Sequence, residues 1–110
     1  MEDTSVHIAG DVARWPDKDR MAEILRRAGL TVRVGTYSLR VEECSHFVFQ
    51  DYGGDSEPRI DADAESLQAM TRDARLVSDA LARAGIRHRF ELYNAANELV
   101  GYLHHDWPPK

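Results

Sequence analysis

Apolar and polar residues alternate with a period of two from Ile86 to Tyr93. The alternation sets Ile86, His88, Phe90 and Leu92 on one face of a strand and Arg87, Arg89, Glu91 and Tyr93 on the other. It breaks at Asn94-Ala95-Ala96-Asn97 and resumes with Leu99, Gly101, Leu103 and His105 against Glu98, Val100, Tyr102 and His104. Asparagine tolerates the left-handed backbone of tight turns, so the pattern predicts a β-hairpin with its turn at 94–97. Symmetric closure pairs Tyr93 with Glu98, Leu92 with Leu99, Phe90 with Gly101, His88 with Leu103 and Ile86 with His105. Pro108 and Pro109 lack ladder donors, so the second strand is expected to stop near Trp107.

Upstream, Thr4 to Ala9 alternates weakly and predicts a short strand. Met21, Ile24, Leu25 and Ala28 fall at helical spacing and predict a helix over Asp17 to Ala28, with Gly29 at its C′ position. That helix begins either with Pro16 as its first residue or with Asp17 as its N-cap. Leu30 to Val41 reads as a strand whose phase changes at Gly35, which implies a bulge or bend there. Glu42 to Ser45 reads as a turn, and His46 to Tyr52 alternates again. Gly53 to Arg59 reads as a loop. A second helix is expected from about Asp63 to Ala84, because Ala64, Leu67, Met70, Ala74, Val77, Leu81 and Ala84 recur at steps of three or four. Gly85 ends it.

The expected order is therefore β-α-β-β-α-β-β. This is an α+β fold: an antiparallel sheet with two helices on one face, in the order of a ferredoxin-like sandwich with an extra C-terminal strand. At 110 residues the chain is expected to form a single domain over 1–110, long enough to bury a real core.

Charge and cysteine usage narrow the function classes. The net charge of −5 argues against nucleic-acid binding, which draws most of its affinity from basic patches. The single cysteine, Cys44, excludes an intramolecular disulfide and points to the cytoplasm. The first residues lack the basic and apolar regions of a signal peptide, and no apolar run is long enough to span a membrane.

Three stretches carry candidate chemistry. His104-His105-Asp106-Trp107 combines imidazoles with a carboxylate, the groups that move protons and bind metals near neutral pH. Adjacent strand residues face opposite ways, so His104 and His105 diverge, while His105 and His88 share the core face. His88, His105 and Asp106 are thus the catalytic candidates, set against the plainer expectation of two neutral, hydrogen-bonded core histidines. Cys44 and His46 form a Cys-x-His pair, but a zinc centre usually needs a second closely spaced pair, so no metal centre is expected. Cys44 as a nucleophile with His46 as base is outweighed by a small turn or core cysteine.

The third stretch, Asp51 to Glu65, holds six acids against Arg59 alone. It lacks the glycine and distal glutamate of a calcium loop and the Lys-Ser/Thr of a phosphate loop, so capping, solvation or docking remain. The leading expectation is a small acidic binding or regulatory module that occludes a more basic protein partner. Its contact residues would be Asp55, Glu57 and Asp61, with Arg87, Tyr102 and His104 on the hairpin. The alternative is a small enzyme using the histidine–aspartate cluster, with or without metal. No cofactor is expected, and exposed strand edges would also admit a homodimer.

Overall fold

The computed structural model describes residues 3–108. The elements run β1 (Val6–Val12), α1 (Lys18–Arg27), β2 (Val32–Val34), β3 (Ser38–Val41), β4 (Phe47–Gln50), β5 (Arg59–Ala64), α2 (Leu67–Arg83), β6 (His88–Asn94) and β7 (Leu99–His105). All seven strands join one antiparallel sheet in the order β2-β3-β4-β5-β1-β6-β7. The α+β class with an antiparallel sheet and two helices agrees with the sequence pattern. The five-strand order does not. The phase change at Gly35 separates two strands, β2 and β3, and β5 occupies a stretch read as loop and helix start.

β5 explains much of that correction. Its sequence, Arg-Ile-Asp-Ala-Asp-Ala, alternates strictly, with Ala62 and Ala64 buried and Asp61 and Asp63 exposed. Small alanines on the inner face give a weak apolar signal, and Ala64 also fits the helical stripe of α2. β5 is held from both sides, pairing Phe47↔Ala62 with β4 and Val6↔Ala64 with β1. The second helix therefore starts later, at Leu67, where Ser66 is the N-cap and its hydroxyl accepts from the Ala69 N–H at 3.1 Å.

Helix ends follow local chemistry. Asp17 caps α1, its carboxylate accepting from the Arg20 N–H at 2.8 Å. Both helices stop at a left-handed glycine, Gly29 at φ 91° and Gly85 at φ 73°. In each, the next residue donates back to the helix: Leu30 N–H to Leu25 O at 3.1 Å, and Ile86 N–H to Leu81 O at 2.9 Å. These are Schellman closures, which absorb carbonyls that otherwise lack partners.

One core lies between the sheet and the helices. Phe47, Phe49, Phe90, Met21, Leu25, Leu39, Met70, Leu81 and Leu92 are fully enclosed there. Trp15 closes one end, meeting Phe49 and Tyr52 edge-on at 6.0 and 5.6 Å, while the Tyr52 hydroxyl donates to Pro16 O. On the opposite sheet face, His7, Ala9, Asp11, Asp61, Asp63, Tyr102 and His104 are exposed. Among the described residues, no helix is long and apolar enough to cross a membrane.

The terminal hairpin forms, but its register is displaced. Leu92 pairs with Gly101, Phe90 with Leu103 and His88 with His105, two residues from the symmetric closure. The turn itself is longer: Asn94 N–H donates to Glu98 O, and the Asn94 carboxamide accepts from Ala96 and Glu98. A bulge between Leu92 and Tyr93 on one side, and Leu99 and Gly101 on the other, leaves Val100 unopposed. Leu99 is thereby 56% exposed, and Val100 packs against the core in its place. Leu92 covers Gly101, where an added Cβ would lie 3.1 Å from a Leu92 methyl.

Candidate functional site

The hairpin histidines come together as a stacked pair. His88 and His105 are direct cross-strand partners with ring centroids 6.2 Å apart. His88 is completely enclosed. Its Nδ1 lies 2.9 Å from Ile86 O and its Nε2 lies 2.7 Å from Ser78 Oγ. A carbonyl only accepts, so Nδ1 carries the proton, and Nε2 accepts from the serine hydroxyl. Both nitrogens of a neutral ring are thus occupied by the fold itself. Asp106 turns away to Arg87, with a 2.8 Å ion pair, and no hydrogen bond joins it to either histidine among the described residues. No hydrogen bond links His88, His105 and Asp106 to one another among the described residues, and His88 anchors β6 to α2 through Ser78.

Burial, the largest influence, holds the His88 imidazole below its ordinary protonation range. A depressed folded-state value means that the unfolded chain takes up a proton below about pH 6.5 while the folded chain resists it. The stability this provides is complete above that pH. It falls on acidification by up to about 1.4 kcal/mol per pH unit until the folded-state value is reached. Urea unfolding measured from neutral to mildly acidic pH should show a steeper decline for the native chain than for His88→Gln. Parallel curves would mean that His88 protonates equally easily in both states.

Cys44 and His46 part company. Cys44 is buried, and its thiol donates weakly to Asp73 O at 3.8 Å. Burial, with the Asp73 carboxylate nearby, pushes this thiol up to about 12, so it carries little thiolate at neutral pH. Cys44 is a core residue beneath a turn. Asp73 was not legible as important in the sequence, yet it is fully buried in α2. Its carboxylate accepts from the Ser45 N–H at 2.8 Å and from Arg72 at 3.0 Å, tying the turn after β3 to the helix.

His46 instead meets the acids of β5. The β4–β5 ladder, Phe47↔Ala62 and Val48↔Asp61, continues through the Asp63 N–H donating to His46 O at 3.1 Å. His46 is thus set beside Asp63 on the open face, and its Nε2 lies 3.4 Å from Asp61 Oδ2. One ligand atom each from His46, Asp61 and Asp63 fall within 4.8 Å of one another. On the far side of β5, His7 of β1 pairs with Asp63 and stacks on Tyr93 at 5.8 Å. The row His46–Asp63–His7–Tyr93 crosses four strands, and only the tertiary pairing assembles it.

The remaining docking candidates are spread along this face and its margins. Asp55 and Glu57 are exposed in the loop before β5, whose ends are tied by Arg59 and Asp51 at 3.0 Å. Tyr102 and His104 are exposed on the edge strand β7, with ring centroids 5.1 Å apart. Arg87 is partly buried and committed to Asp106. Arg89 bonds Asp11 and lies 5.1 Å over the Trp107 ring. At one end of the sheet an open cleft of about 620 Å³ is lined by Arg14, Trp15, Arg20, Ile24 and Arg87. Two of its three guanidiniums already have carboxylate partners, Arg20 with Glu23 and Arg87 with Asp106. Comparison with known proteins returns no matching family model, no matching curated protein and no matching solved structure.

Proposed function

We propose that this chain is a small binding module that covers a more basic protein through the acid-rich part of its open sheet face. The observation that carries the reading is the placement of β5. Asp61 and Asp63 project outward from the middle of the sheet, and the adjoining loop adds exposed Asp55 and Glu57. Exposed charges of one sign steer encounter with a partner of the other sign. Ala9 and Tyr102 add small and aromatic exposed surface on the same face, the mixture from which a docking centre is built. The enclosure of His88 and the engagement of Asp106 by Arg87 favour this reading over the histidine–aspartate enzyme. The inner order β4-β5-β1-β6 with two helices has the connectivity of a ferredoxin-like sandwich, extended by β2-β3 on one side and β7 on the other. That label belongs to the same proposal.

The test is kinetic and is run in chelator, so that no metal contributes. A partner is first captured with the native chain, and its association is then measured against Asp55, Glu57 and Asp61 changed together to Asn or Gln. Association should slow several-fold at low salt and much less near ~0.5 M, where the screening length is only a few ångström. None of the three acids caps a helix, so the variant should keep the native melting temperature. Unchanged rates in the folded variant would remove these acids from the interface.

A further inference from the structure

We propose that His46, Asp61 and Asp63 form a binding site for one divalent transition-metal ion of the zinc class. Three observations converge on it. The first is geometric. Ligands about 2.1 Å from a tetrahedral ion are separated from one another by about 3.4 Å. His46 Nε2 and Asp61 Oδ2 are already 3.4 Å apart, and all three ligand atoms lie within 4.8 Å of one another. Exposed Asp63 supplies the third ligand atom.

The second is electrostatic. Asp61 and Asp63 are alternate residues of one strand, so both carboxylates project from the same face, next to each other. Among the described residues, Asp63 has no ion-pair partner, and Asp61 has only the His46 imidazole. A cation between them relieves the repulsion that two adjacent carboxylates otherwise retain. The third is the donor chemistry. One imidazole and two carboxylates suit zinc and neighbouring first-row ions, whereas calcium and magnesium prefer sets made of oxygen alone. Three protein ligands on an exposed face leave the fourth position open to water or to a side chain from outside.

The site rests on rigid supports. His46 is held at the start of β4 by its carbonyl bond to Asp63, and β5 is paired on both sides. His7 is next in the row and stacks on Tyr93. Binding at this site requires only the chain and the ion.

The test is a titration of the full chain with zinc chloride, read by calorimetry and by the ring-nitrogen resonances of the histidines. The expected result is one ion per chain, with perturbation centred on His46. His46→Ala and Asp63→Asn should each weaken binding by roughly tenfold or more, while Cys44→Ser and His104→Ala leave it unchanged. Binding should also weaken on acidification, because an imidazole ligand must be neutral. The inference is overturned if the native chain binds no stoichiometric zinc, or if binding survives both His46→Ala and Asp63→Asn. It is equally overturned if the perturbed rings in the native chain are those of His104 or His105. The resonance measurement needs no variant, so it stands whatever the variants do to folding.

Discussion

Phe90→Ala is expected to destabilise the protein by about 3–5 kcal/mol, while Leu99→Ala stays within about 0.5 kcal/mol. Phe90 is fully enclosed, with its ring 5.8 Å from that of Phe47 and 5.0 Å from that of His88. Removing it takes away both the transfer energy of the ring and the contacts of its neighbours, which cannot all collapse into the gap. Leu99 has the same hydrophobic character and, on simple alternation, belongs to the same inner face. The bulge at Val100 turns it outward, to 56% exposure. Denaturant unfolding of the two variants thus reads the register directly. A large loss at Leu99, comparable to that at Phe90, would mean that the hairpin closes without its bulge.

The second large effect is expected at Asp73, where replacement by alanine should cost about 2–3 kcal/mol. The carboxylate is fully buried, while its ionic partner Arg72 is 65% exposed at the side chain. The stabilisation therefore comes less from the ion pair, which solvent screens, than from the charge-assisted bond to the Ser45 N–H. Alanine leaves that N–H without an acceptor and opens a space beneath Cys44. Asp73→Asn keeps an acceptor of the same shape and should cost no more than about half as much. If Asn proves as damaging as Ala in the same unfolding measurement, the negative charge itself holds the turn.

The helices were legible because their signals are local. Asp17, one of the two starts the pattern allowed for α1, the stops at Gly29 and Gly85 and the apolar stripes depend on residues within a turn or two of each other. Only the assignment of Ser66 over the acids before it escaped, because Asp61, Asp63 and Glu65 mimic the acidic first turn of a helix. The hairpin was legible as a pair of faces. A displacement of two residues preserves which side each residue points to, so Phe90, Leu92 and Leu103 kept their places while their partners changed.

The grouping of His46 with Asp61 and Asp63 was not legible, although His46 and Asp61 each stood out singly. His46 precedes Asp61 by fifteen positions, and the weakly apolar β5 gave no reason to place them together. Composition and pattern by themselves determined the class of fold, the presence of two helices and their glycine stops, the inner face of β6 and the acidic character of the stretch before α2. Tertiary structure alone decided that β5 is a strand between β4 and β1, that Asp73 is buried under a turn, and that His46, Asp61 and Asp63 share one point on the sheet. The physical reason is the range of the interactions. A helix satisfies its backbone within a few residues, so short patterns suffice to specify it. A strand satisfies its backbone only through neighbours far away in the chain, and until those are known its exposed side chains have no assigned company.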